Sequence, residues 1–187
     1  MLVALDIHHR GKPGHWRDRG AVVNGVEEVD LTHRYAIAAD RELRKLGWDC
    51  AILSDGTYQD RWARADAYGA AVYVACHVNA GGGDRGEVYF DARSARGPAL
   101  ATAVVGALRQ FAPWPVSGKA TEPGERPYNT ISGVRAVALC YEPGYLDSLN
   151  LDHRRWLVVH VEEYGVALAR GIDAWIKDGD PGSEKQA

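Results

Sequence analysis

Apolar and polar residues alternate along this chain in blocks, and the blocks change period. Met1 to Ile7 is almost continuously apolar, the pattern of a strand buried on both faces, and it passes into a polar loop rich in Gly, Pro and Arg that runs to Asn24. From Gly25 to Leu46 the positions Thr32, Ala36, Ala39, Leu43 and Leu46 recur at helical spacing, with Asp30 and Arg34 outside and Gly47 as a stop. Cys50 to Leu53 predicts a strand, Asp60 to Tyr68 a short helix, and Ala70 to His77 another strand. Glu87 to Phe90 predicts a strand and Gly97 to Phe111 a helix, whereas Ala112 to Ile131, with four prolines, predicts a loop. Gly133 to Cys140 is Val-rich and strand-like. Leu157, Val161, Tyr164, Leu168, Ile172 and Trp175 place one helical stripe on a final element from Asp152 to Ile176.

Strands alternating with helices imply a single α/β domain, a mostly parallel twisted sheet with helices on both faces. The expected domain covers residues 1–177, with a polar tail at 178–187. Ligands of such sheets gather beyond the carboxyl ends of the strands.

The chain has 187 residues, 46% hydrophobic and 25% charged, in keeping with one soluble globular domain. A formal charge of -3 without a Lys/Arg cluster argues against nucleic acid as a partner. Cys50, Cys76 and Cys140 are odd in number and lie in apolar runs, which suits reduced core thiols. Met1 leads directly into the first strand without a basic segment or cleavage site, and no apolar run approaches the roughly 20 residues that span a bilayer. Neither a signal peptide nor membrane insertion is expected.

Four residues stand where a hydrophobic element meets a loop: His9, Glu28, His77 and Glu142. His77 ends an apolar strand and opens into Gly81, Gly82 and Gly83. Two imidazoles and a carboxylate are a catalytic zinc set, because three protein ligands leave a fourth tetrahedral position for water, whose pKa falls towards about 7. On this reading His9, Glu28 and His77 hold one zinc ion and Glu142 takes the proton of the water. Taken alone, Glu28 reads better as an acid favoured by the dipole at a helix N-terminus, a description that fits Glu27 equally well. His8 competes with His9, since neighbours on an extended chain point to opposite sides. His15 is a candidate substrate contact; His33, His153 and His160 lack a strand-end context.

The motifs around these residues resemble the zinc-dependent N-acetylmuramoyl-L-alanine amidases of the type 3 family. Asp6-Ile7-His8-His9 and Asp18-Arg19-Gly20-Ala21 are similar to the family's opening Asp-x-Gly-His and Asp-x-Gly-Ala. Gly25-Val26-Glu27-Glu28 resembles its Gly-x-x-Glu, and Ala75-Cys76-His77-Val78-Asn79-Ala80 its Ser-Ile-His-x-Asn-Ala. Gly86-Glu87-Val88-Tyr89 echoes a Gly-x-Glu strand, and Tyr141-Glu142-Pro143-Gly144-Tyr145 the strand-end Val-Glu-x-Gly-Phe. The resemblance spans Val3 to about Leu151. It selects His9 over His8 and Glu28 over Glu27 as ligands, and it gives Glu142 the catalytic carboxylate. His8 stands where the family has glycine and Ala75 where it has serine.

What the resemblance implies is a phosphorylase/hydrolase-like fold and hydrolysis of the amide between N-acetylmuramic acid and L-alanine in peptidoglycan. The implied protein is a monomeric, phage endolysin-like enzyme, made in the cytoplasm and delivered to the wall with holin assistance. Arg10, Arg19, Arg85 and Arg126 are candidates for the peptide's carboxylates, and Asn79 for holding the loop after His77. Phe111 to Gly133 is too rich in Pro and Gly for the long blocking helix of some members, so an enzyme open without an activator is expected. Two rival readings are a zinc amidohydrolase or carboxypeptidase of small acyl-amino acids and a non-catalytic wall-binding module.

Overall fold

The computed structural model describes residues 1–10, 14 and 18–179. Strand β1 (Leu2–Ile7) is followed by a hairpin of β2 (Val22–Val23) and β3 (Val26–Glu27), then by α1 (Glu28–Lys45), β4 (Asp49–Leu53), α2 (Tyr58–Ala67) and β5 (Val72–Cys76). The second half runs β6 (Gly86–Asp91), α3 (Gly97–Arg109), β7 (Val116–Thr121), α4 (Tyr128–Ile131), β8 (Val137–Glu142), α5 (Leu151–Val159) and α6 (Val161–Lys177). Six strands form one sheet in the order β4-β1-β5-β8-β6-β7. All neighbours are parallel except β6 and β8. The expected α/β class with a mostly parallel sheet is what the chain adopts.

The near-continuous apolar strands are explained by cover on both faces. Val3, Leu5 and Ile7 of β1, Val72, Val74 and Cys76 of β5, and Val137, Leu139 and Tyr141 of β8 share one core with residues of α1, α3 and α6. The alternate residues Ala4, Tyr73, Ala75, Ala138 and Cys140 pack with Ala65 and Ile131 beneath α2 and α4. Strand period two, applied to apolar residues at every position, yields two cores instead of one. On the larger side α1 and α6 approach so closely that a Cβ on Gly165 would lie 2.0 Å from the Tyr35 carbonyl oxygen. Cys50, Cys76 and Cys140 are free and buried.

Several boundaries differ from expectation; the strand expected from Gly133 to Cys140, for one, runs Val137–Glu142. The helix predicted from Gly25 begins at Glu28, because Asn24 and Gly25 both adopt positive φ, 50° and 81°, and turn the chain between β2 and β3. Such an Asn-Gly pair is a hairpin signal. The proline-rich stretch predicted as loop contains β7 and α4. Pro113, Pro115, Pro123 and Pro127 stand outside both elements, and β7 is an edge strand, where proline neighbours cost no central pairing. The final helix is divided at His160, whose φ of -100° and ψ of 27° separate α5 from α6. Val158, Val159 and Val161 crowd that point with β-branched side chains, which favour helix poorly. Tail residues 180–187 and His15 lie outside the described residues.

Candidate metal centre

The carboxyl ends of β1, β5 and β8 deliver three side chains to one place, and the start of α1 adds a fourth. His9 follows β1 in a turn with φ of 65°, a left-handed conformation uncommon outside glycine. The turn is gripped from below by a buried polar group. Arg61 of α2 donates to Asp6 at 2.6 Å and to the carbonyls of Arg10 at 2.5 Å and Ser54 at 3.3 Å, while the Tyr73 hydroxyl donates to the other Asp6 oxygen at 2.5 Å. Burial would raise the Asp6 pKa, but His8, Arg61 and Tyr73 outweigh it and hold the carboxyl lowered.

His77 is the first residue after β5. Its amide donates to the Tyr141 carbonyl at 3.0 Å and its carbonyl accepts from the Tyr35 hydroxyl at 3.0 Å, which fixes the backbone from two sides.

Glu28 joins the two histidines. It is 3% exposed, and its Oε1 lies 3.1 Å from His77 Nδ1 and 3.3 Å from His9 Nε2. The same oxygen accepts the Val78 amide at 3.1 Å, and Oε2 accepts the Ala21 amide at 2.9 Å. Gly20, at φ of 63°, makes room: a Cβ there would sit 2.5 Å from Glu28 Oε2. Burial raises the Glu28 pKa, but the contacts with His77 and His9 outweigh it and drive the carboxyl far below its ordinary range.

His9 is backed by Asp18, whose Oδ1 lies 3.1 Å from Nδ1. A carboxylate behind a ligand imidazole fixes its orientation. Burial pulls the His9 pKa down, yet Glu28 and Asp18 together leave it raised. Among the described residues neither nitrogen of His9 is aligned for a hydrogen bond, and Nε2 of His77 is buried without a partner.

The donor set fits a divalent cation. One ligand atom from each of His9, Glu28 and His77 lies within 4.8 Å of the others, and all three residues are buried. His8 is apart from that set, with Nδ1 3.5 Å from Asp6 and its ring against Tyr58 and His77, both at 4.2 Å between centroids. Burial and the proximity of His77 lower its pKa to about 3, against the opposing pull of Asp6. Glu27 turns away to Arg19 at 2.6 Å.

Glu142 is the last residue of β8 and half-buried. Burial raises its pKa, Glu28 and Glu87 add to the rise, and His77 and Arg126 oppose it. A carboxyl raised in this way is suited to exchanging a proton. Directly opposite on β6 stands Glu87, which accepts from Asn79 at 2.9 Å, the Tyr145 hydroxyl at 2.9 Å, Arg85 at 3.0 Å and Lys119.

Of the four candidate arginines, Arg19 is engaged by Glu27, and Arg85 by Glu87 and the Tyr145 hydroxyl. Arg10 and Arg126 are exposed. Asn79 ties loops together: its amide donates to Gly144 O at 2.9 Å and its carbonyl accepts from Leu146 at 2.9 Å. Asp147 accepts the Gly81 and Gly82 amides at 2.8 and 3.0 Å, while Asp84 accepts from Ser148 at 3.0 Å and lies 2.6 Å from His153 Nδ1. His153 therefore belongs to the clasp around the glycine run.

Sequence reasoning passed over the roles of Asp18, Arg61, Tyr73, Tyr35 and Glu87. Asp18 and Glu87 lie inside motifs already noted, whereas Arg61 has no local signal beyond its place near the inward side of α2.

The sequence profile of N-acetylmuramoyl-L-alanine amidases matches residues 3–176. Among solved structures, the N-acetylmuramoyl-L-alanine amidase AmiC2 of Nostoc punctiforme is 22% identical, with a TM-score of 0.79 over 95% of this chain and 97% of that one. The catalytic domain of CwlV, an N-acetylmuramoyl-L-alanine amidase from Bacillus (Paenibacillus) polymyxa, is 20% identical, with a TM-score of 0.71 over 95% and 96%. The catalytic domain of the CD27L endolysin targeting Clostridia difficile is 17% identical, with a TM-score of 0.69 over 92% and 96%. No curated protein sequence matches. At these identities the structural likeness speaks for the fold.

Proposed function

The chain belongs to the N-acetylmuramoyl-L-alanine amidase family, enzymes that hydrolyse the amide joining N-acetylmuramic acid to L-alanine in peptidoglycan, and on that premise we propose how its own residues perform the reaction. His9, Glu28 and His77 hold one zinc ion, and Glu142 is the catalytic carboxylate. The observation that carries this reading is the convergence of His9 Nε2 and His77 Nδ1 on a single oxygen of Glu28. Bound there, zinc supplies Lewis acidity towards the lactyl carbonyl and a lowered pKa for water.

The protein's residues supply the rest. Asp18 keeps the His9 ring turned inward, and Tyr35 keeps the His77 backbone in place. Glu142, at the rim beside His77, takes the proton of the attacking water and returns it to the departing L-alanine nitrogen. The new carbon–oxygen bond completes the lactyl carboxylate as the carbon–nitrogen bond breaks. Glu87, fully engaged by its four donors, stays ionised beside Glu142 and favours Glu142's return to the protonated form.

Among the described residues no helix is long and apolar enough to cross a membrane. The enzyme is read as a monomeric, endolysin-like hydrolase that reaches the wall from the cytoplasm with holin assistance. Phe111 to Gly133 holds an edge strand and a four-residue helix, with no long helix to cover the site, which supports activity without an activator.

Metal content, paired with clearing of purified walls before and after chelation, tests this. One zinc per chain, activity lost on chelation and restored by zinc, and stem peptides released with N-terminal alanine are expected. Zinc binding with hydrolysis of small acyl-amino acids but no stem-peptide release would overturn the substrate assignment. Sedimentation with walls and no chelator-sensitive clearing would overturn the catalytic one.

A further inference from the structure

We propose that the groove between the β2–β3 hairpin and α5 is a subsite for the substrate's stem peptide, with Val26, Leu146, Leu151 and Val158 as its apolar floor and Arg154 and Arg155 receiving the peptide's carboxylates. The inference rests on the amidase reading and extends it from the scissile bond to the chain that leaves.

The groove has a volume of about 230 Å³. That is smaller than the roughly 300–1,000 Å³ of sites that engulf a ligand, and it suits an extended chain lying across it. Both walls are continuous with the metal centre. Val26 precedes Glu28 by two residues, and Leu146 donates its amide to the carbonyl of Asn79, two residues after His77. The groove is thus lined by the segments that lead into Glu28 and away from His77, although neither residue is part of its lining.

The chemistry of the walls selects the occupant. Leu151 is 65% exposed and the neighbouring Val159 60%, so α5 offers apolar surface that no described residue covers. Arg154 and Arg155 form no ion pair or side-chain hydrogen bond among the described residues, although Arg154 lends its charge to lowering the pKa of Asp147. In a chain of net charge -3, two adjacent cations beside an apolar floor favour an anionic ligand with short aliphatic parts. A peptide of alanine and dicarboxylic residues has that character, and its carboxylates suit guanidinium forks.

Titration calorimetry of the zinc-loaded protein with a synthetic stem tetrapeptide bearing free N-terminal L-alanine tests the subsite without relying on turnover. Amidating the peptide's carboxylates, or the substitution Arg155→Glu, should each weaken binding about tenfold, and the two changes together little more than either alone. Arg155→Lys should retain binding within about threefold, since it keeps the charge and loses only the fork. Affinity indifferent to amidation and to Arg155→Glu would overturn the proposal, and so would absence of peptide binding, which would leave the groove to a protein partner. Wall clearing by the same zinc-loaded preparation reports on the amidase reading separately: cleavage with no arginine dependence of binding refutes the groove alone.

Discussion

Glu87 and Glu142 face each other across the antiparallel pair β6 and β8, and their carboxyls are driven in opposite directions. Glu87 is buried, but hydrogen bonds from Lys119, Arg85 and Tyr145 outweigh burial and bring its pKa down to about 2. Among the described residues Glu142 has no comparable set of donors, so burial prevails and its pKa rises. Two like residues opposite each other are thus tuned apart, one towards a fixed negative charge and the other towards exchanging a proton.

On the proposed mechanism, replacing Glu142 with Gln would remove the proton carrier and leave His9, Glu28 and His77 untouched. Wall hydrolysis should fall by about 10²- to 10⁴-fold while zinc content stays at one per chain. A carboxyl whose pKa is raised on folding disfavours the folded state once pH exceeds its unfolded value, so Glu142→Gln should also unfold at a higher urea concentration than the parent at pH 7. Full activity with zinc bound would show that the base is elsewhere.

Glu87 has the opposite linkage. Its folded pKa of about 2 lies below the ordinary 4.5, so its stabilisation is present above pH 4.5 and is lost as pH falls towards 2. Urea midpoints measured across that window should decline less steeply for Glu87→Gln than for the parent, and the variant should be the less stable of the two at pH 7.

Arg61→Met strands the Asp6 carboxylate in the core beneath α2. Removal of one member of a buried pair costs about 3–5 kcal/mol, and equilibrium unfolding should show a loss of that order. Because Arg61 also holds the carbonyl of Arg10, the turn carrying His9 should loosen, and zinc affinity should fall along with stability.

Gly20→Ala separates metal binding from folding. The added methyl would meet Glu28 Oε2 at 2.5 Å and would need a positive φ, so the carboxylate must move. Zinc affinity should drop at least about tenfold, as for loss of a supporting contact, with circular dichroism unchanged.

Gly165→Ala probes the helical layer, away from the metal centre. Alanine raises helix propensity by about 1 kcal/mol over glycine, but its Cβ would lie 2.0 Å from the Tyr35 carbonyl oxygen, where backbone must give way. A net loss of about 2–3 kcal/mol is expected in denaturant unfolding. A stabilised variant would mean that α1 and α6 part easily.

The two-sided sheet was readable because β1, β5 and β8 are apolar at nearly every position, whereas a sheet with one wet face would alternate apolar and polar residues. The candidate centre was readable because its members end strands or begin a helix, so local context marked them one by one. What escaped was non-local. Arg61 meets Asp6 across 55 residues and Tyr73 meets it across 67, and no periodicity announces such a meeting. The division at His160 was hidden for a different reason: the apolar stripe runs through it, and only the cluster of valines hinted that the backbone would turn.

The glycine run after His77 has a consequence for how the molecule resists cleavage. Gly81 to Gly83 would ordinarily be among the first places where a peptidase nicks a chain. Here both carboxylate oxygens of Asp147 occupy the amides of Gly81 and Gly82, and a Cβ on Gly83 would lie 2.4 Å from the Tyr145 ring. To enter a peptidase cleft the segment must first give up those partners, so the most permissive stretch of sequence is closed to digestion for as long as the loop after β8 stays seated.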